Sequence, residues 1–150
     1  MRKKHFLIAT DGSAGAREAV RHGAQIAGEI GAFVTIAYVG HVPLPVLGDP
    51  YYQRVLSDEL DRGRVVLEEA AAEVAGAGVE VETELLEGSA ADAIVQVARR
   101  RAVDLIIVGS RGRGAIAGAL LGSVSGQVVY RADRPVLVVK PRTKTARRAA

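Results

Sequence analysis

The 150-residue chain is 49% hydrophobic and 25% charged, which fits one folded domain with a sizeable core and excludes wholesale disorder. Of its 20 basic residues, five (Lys140, Arg142, Lys144, Arg147 and Arg148) fall within 140–150, leaving 15 against 17 acids in the body. The pI near 9.5 therefore reflects a basic tail over 142–150, read as a solvated end rather than a nucleic-acid surface. Aromatic residues are only 4%, too few for a platform that stacks single-stranded bases, and the absence of cysteine excludes disulfides, thiolate nucleophiles and thiolate metal ligands.

In chain order, the basic start MRKK leads into an apolar stretch that stops at Asp11, too short for a signal-peptide core. HFLIAT (5–10) reads as a strand buried on both faces. Ala16, Ala19, Val20, Ala24, Ala27 and Ile30 then recur at helical spacing until Gly31. FVTIAYV (33–39) is a second buried strand, followed by a connection over 38–52 with three prolines. That connection is either a lid over a site or a surface excursion; its length does not decide.

A second helical pattern runs through Val55, Leu56, Leu60, Leu67, Ala70 and Val74 and ends at Gly76 and Gly78. VEVETELLE (79–87) alternates, with Val79, Val81, Thr83 and Leu85 on one side, as expected of a strand near an edge. The next helix opens at Ser89, with Asp92 three residues on in the manner of a capping box, and closes on Arg99 to Arg101, where positive charge is favoured. DLIIVG (104–109) and PVLVVK (135–140) are further buried strands, with a last helix from about Ser123 to Arg131 between them. The Gly- and Ser-rich run 114–129 is too short for the roughly 20 residues that span a bilayer. A soluble, cytoplasmic protein is expected. The order β-α-β-α-β-α-β-α-β predicts a single doubly wound α/β domain over 1–141, a parallel sheet with helices on both faces.

In such sheets ligands sit beyond the carboxyl ends of the strands, where the winding direction reverses. Two strands end there in suggestive residues: the first in ATDGS, the fourth in VGSRGRG. Gly109 and Gly112 lack a Cβ and let a ligand approach backbone amides, which converge on anions in such loops. Gly122, Ser123, Val124 and Ser125 open the last helix, whose free amides and positive dipole end favour phosphate. Arg111 and Arg113 add charge or are simply solvated. The loop lacks the Lys–Ser/Thr pair of a P-loop, and the first turn, TDGSAGA, does not have the GxGxxG spacing. Asp11 reads equally as turn chemistry, and Ser123 as an N-cap. His5, His22 and His41 have no metal-ligand spacing and read as incidental.

The pattern Gly109-x2-Gly112-x9-Gly122-Ser123 resembles the ATP-binding signature of the universal stress protein family. HFLIATDGSAGAREAV resembles that family's opening, EGSAADAIVQVA its middle, with Ser89 where proline is common, and DLIIVGSRGRG with LLGSVSGQVVYRADRPVLVVK its closing unit. The resemblance covers Lys4 to about Pro141. It implies a five-stranded parallel sheet of order 3-2-1-4-5 and a homodimer through the last strand, Val136–Val139. It implies that Ala9, Thr10 and Asp11 border the adenine and ribose and that Val39 lines the adenine pocket. AYVGHV lacks the histidine that often precedes the residue matching Val39. Val108 and Gly109 would flank the nucleoside. Gly112, Gly122, Ser123, Val124 and Ser125, with Arg111 beside them, would hold the phosphates of ATP, or of ADP or AMP, with Mg2+ bridging.

Asp11 is the one acid that falls near this crevice, with no second carboxylate or histidine beside it by motif, whereas phosphoryl transfer needs a positioned base or nucleophile. The expected function is a nucleotide-binding stress-response regulator with at most weak ATPase activity. The alternatives are an ATP hydrolase or nucleotide-transferring enzyme using the same crevice, and an interaction module that binds no nucleotide.

Overall fold

Nearly continuous β-branched and aliphatic runs form strands here because both faces of the sheet are covered. The computed structural model describes residues 1–40, 49–111 and 121–141. Its elements are β1 (His5–Thr10), α1 (Ala14–Ile30), β2 (Phe33–Val39), α2 (Asp49–Gly76), β3 (Val81–Leu86), α3 (Ala90–Arg100), β4 (Leu105–Gly109), α4 (Ser123–Arg131) and β5 (Val136–Val139). The strands pair in parallel in the order β3-β2-β1-β4-β5, as expected. Among the described residues no helix is long and apolar enough to cross a membrane.

Alternate residues of the strands feed two separate cores. Phe6, Ile8, Val34, Ile36, Tyr38 and Ile107 pack with Ala19, Val20 and Ala24 of α1 and Leu67, Ala70 and Val74 of α2. Leu7, Ala9, Ala37, Val39, Ile106 and Val108 pack with Ile94, Val97 and Ala98 of α3 and Val128 of α4. The chain winds outward from β1 to β3, crosses back to β4 on the other side of β1 and continues to β5. This reversal moves α3 and α4 to the opposite face and puts the switch point, where ligands bind in such sheets, between the ends of β1 and β4.

Helix boundaries follow local chemistry. Ser13 caps α1, its Oγ accepting the Ala16 amide at 3.2 Å, and Gly31 ends it in the left-handed region at φ 69°. The connection expected over 38–52 is shorter than that, because α2 already begins at Asp49. Pro50 falls in its first turn, where a missing N–H costs no helical bond. Residues 41–48, including His41, and the basic tail 142–150 lie outside the described residues. The capping box expected at the start of α3 does not form: Ser89 is the N-cap residue but makes no side-chain cap bond, and Asp92 pairs with Arg131 of α4 instead. β3 is an edge strand; Glu82 and Glu84, on its face toward α3, are partly buried and both paired with arginines at the end of α3, while Thr83 on the other face is exposed.

Candidate functional site

The carboxyl edge is built mainly from backbone. At the β1–α1 turn the Asp11 carboxylate accepts the Ser13 amide at 2.9 Å and the Thr10 hydroxyl accepts the Gly12 amide at 3.2 Å. These short side-chain bonds hold the turn in shape, with Gly12 at φ 79°. Asp11 thus takes the turn role with one of its oxygens. Thr10 is buried, and its side chain faces the groove between α1 and α2.

Beside this turn, β4 and α1 approach to backbone contact. A Cβ on Gly109 would lie 2.7 Å from the Gly15 carbonyl, and one on Gly15 would collide with the Arg111 carbonyl. Gly109 is therefore required by packing, whatever else approaches it. Gly15 and Ser110 were not singled out from the sequence. A glycine in the first turn of a helix, where it is a poor helix former, was the signal available for Gly15. Ser110 had none, since it acts through its backbone.

The start of α4 docks onto the same segment. The Gly122 amide donates to the Ser110 carbonyl at 2.6 Å, and the single hydrogen of the buried Ser125 hydroxyl is within reach of that carbonyl at 3.0 Å and of the Gly122 carbonyl at 3.2 Å. The Ser110 amide in turn donates to Val139 at the end of β5, at 2.9 Å. Ser110 and Arg111 thus meet Gly122 and Ser125 around one short stretch of backbone. Gly122 is the N-cap residue and Ser123, Val124 and Ser125 form the first turn. The amides of these three have no acceptor among the described residues, as expected at a helix start. Ser123 and Val124 are exposed. Gly112 lies outside the described residues, as do Arg113 and Gly114.

The side chains of Ala9, Val39 and Val108 belong to the core beneath α3 and α4. What these residues present at the strand ends is backbone. A groove of about 250 Å3 also runs between α1 and α2, from Thr10 and Gly12 to Glu69 and Glu73. Its two carboxylates would repel a polyanion, and Arg17 at its rim stands 4.0 Å from Glu69. The α4 start is the part of this edge suited to anions. Among the described residues no group of three His, Cys, Asp or Glu is placed to hold a metal ion.

A sequence model described as the universal stress protein family matches residues 3–140. Universal stress protein MJ0531 of Methanocaldococcus jannaschii is 38% identical over 140 residues, covering 91% of this chain and 82% of that one. The solved universal stress protein UspA from Lactobacillus plantarum is 26% identical, with a TM-score of 0.83 over 93% of this chain and 99% of that one. A universal stress protein solved in complex with cAMP is 31% identical, with a TM-score of 0.68 over 93% of this chain and 98% of that one. Sequence match and strand order agree over nearly the whole length, and the chain belongs to the universal stress protein family.

Proposed function

We propose that this protein binds an adenine nucleotide, with ATP as the preferred ligand, across the crevice between β1 and β4, and that occupancy regulates its behaviour in a stress response. The observation that carries the reading is the meeting of the β4 end with the start of α4: bonds from Gly122 and Ser125 to the Ser110 carbonyl hold three helix-start amides beside Arg111. Such a helix start, with glycine-opened backbone next to it, suits phosphate. The cAMP complex of a 31% identical relative supports a nucleotide ligand.

In this reading the amides of Ser123 and Val124 and the Ser123 hydroxyl hold phosphate. Gly122 and Ser125 act one step back, since the Gly122 amide and the Ser125 hydroxyl already bond within the protein. Gly112 and Arg111 complete the phosphate loop. Thr10, Asp11 and the backbones of Ala9, Val39, Val108 and Gly109 border the nucleoside. A divalent ion accompanying the nucleotide takes most of its ligands from phosphate and water. The protein is also proposed to form a homodimer through β5, which ends the sheet with Val136, Leu137 and Val138 only half-buried.

Denaturing freshly purified protein and identifying any released nucleotide tests the ligand. Bound ATP, and a melting temperature that rises with added ATP, are expected, without steady turnover. Protein that carries no nucleotide and ignores ATP would favour the interaction module, and steady hydrolysis lost on Asp11→Asn would favour the enzyme.

A further inference from the structure

The groove between α1 and α2 lies apart from the phosphate site and has its own chemistry. It starts at the β1–α1 turn, at Thr10 and Gly12, and runs along α2 to Glu69 and Glu73, enclosing about 250 Å3. Three elements build it. Thr10 follows Phe6 and Ile8 on the face of β1 that the two helices cover, so its side chain stands at the inner end, only 6% exposed. Val20 of α1, with Val66 and Ala70 of α2, supplies apolar wall. Glu69 and Glu73 stand one helical turn apart on α2, both exposed at the mouth.

Two polar groups in this groove are left incomplete by the protein. The Thr10 hydroxyl oxygen accepts the Gly12 amide at 3.2 Å, but its hydrogen meets no acceptor among the described residues. A buried hydroxyl that faces a groove takes its missing acceptor from whatever fills that groove. The second group is Glu73. Arg17 at the rim reaches Glu69 at 4.0 Å, whereas Glu73 makes no hydrogen bond or ion pair among the described residues. Two carboxylates against one guanidinium leave the groove with an excess of negative charge. Like charges at this helical spacing repel, and a cation between them relieves the repulsion.

The complement to this lining is a positive head, an aliphatic stem and an oxygen. We propose that the groove binds a short linear aliphatic amine that carries an oxygen acceptor at its far end. The ammonium lies between Glu69 and Glu73, the methylene stem covers Val20, Val66 and Ala70, and the oxygen accepts the Thr10 hydroxyl hydrogen. Burial of the stem supplies affinity without direction, and the two polar ends fix which way round the ligand lies. The proposal does not rest on the nucleotide reading, although the groove and the crevice meet at the β1–α1 turn.

Proton–nitrogen NMR of the full chain, titrated with aminobutanol, tests it. Saturable shifts are expected at the amides of Thr10, Gly12, Ala70 and Glu73. Butylamine lacks the oxygen and should bind about three-fold more weakly, the net worth of one neutral hydrogen bond. Butyrate, an anion, should not bind. Glu73→Gln should weaken aminobutanol about three- to five-fold, as expected for an exposed ion pair. Glu68→Gln removes the same charge from a neighbouring position outside the groove and should leave the affinity nearly unchanged. Both glutamates are exposed, so neither variant threatens the fold. Shifts that never saturate, equal losses in Glu73→Gln and Glu68→Gln, or butylamine binding as tightly as aminobutanol would each overturn the proposal. Nucleotide release is read by a separate assay, so failure of either reading leaves the other standing.

Discussion

The two ends of the same sheet are built by opposite means. At the carboxyl edge, Gly109, Gly15, Ser110 and Gly122 bring backbone against backbone. At the amino edge, Arg2, His5, Glu82, Glu84, Arg100, Arg101 and Asp104 form a dense side-chain network. Main-chain amides are fixed in place and take up little room, so an edge built from backbone can leave donors unused, as at the start of α4. A side-chain network fills its own space and satisfies its own charges. The same parallel fold is thus closed by main-chain packing at one end, where binding is proposed, and by paired side chains at the other.

This contrast makes enlarging a glycine the damaging change at the carboxyl edge and truncating a side chain the damaging change at the amino edge. The largest effect is expected for Gly109→Val, whose Cβ would meet the Gly15 carbonyl at 2.7 Å. Backbone cannot yield as a side chain can, so urea unfolding should show a loss of about 3 kcal/mol or more. Next comes Gly122→Val. A Cβ there meets nothing closer than the Ser110 carbonyl at 3.4 Å, and φ of −67° with ψ of 167° suits a β-branched residue. The fold should survive, with ATP affinity by calorimetry down about 100-fold, the equivalent of one or two charge-assisted bonds. Unchanged affinity would remove α4 from the phosphate site.

Smaller effects sharpen the contrast from the other end. Arg101→Met removes the fork that joins Glu82 and Glu84, and Arg101 is only partly exposed. A loss of about 1–2 kcal/mol, shrinking in high salt, is expected by denaturant titration, without effect on ATP binding. Ser125→Ala is expected to cost about 1 kcal/mol, since the Ser110 carbonyl keeps its bond from the Gly122 amide. Its ATP affinity should fall only a few-fold. A loss as large as that of Gly122→Val would give the hydroxyl a direct place on the ligand.

Much of this was legible from local pattern. HFLIAT and FVTIAYV coincide with β1 and β2 residue for residue, because strands buried on both faces read as nearly continuous apolar runs, here interrupted only by His5, Thr10 and Thr35. The alternation of VEVETELLE marked an edge strand, and β3 is one. The start of α2 was missed because six residues of its first turns, from Asp49, carry little apolar periodicity. The capping box failed for a different reason: Asp92 had a stronger partner in Arg131, 39 residues away. His5 was read as incidental, yet it sits in a buried row with Thr35 and Glu82, at separations of 30 residues to Thr35 and 47 residues from there to Glu82.

At the candidate site, Gly109, Gly122 and Ser125 were visible as small residues in a loop, but their division of labour was not. Composition and periodicity by themselves determined the α/β class, the element order and the strand ends where a crevice would lie, because each rests on the preferences of neighbouring residues. Only the tertiary structure decided that Gly109 is demanded by α1, that Ser125 bonds the Ser110 carbonyl, and that His5 reaches Glu82 through Thr35. Those facts depend on which distant backbone comes within hydrogen-bonding reach, a quantity set by sheet register and helix docking rather than by any short stretch of chain.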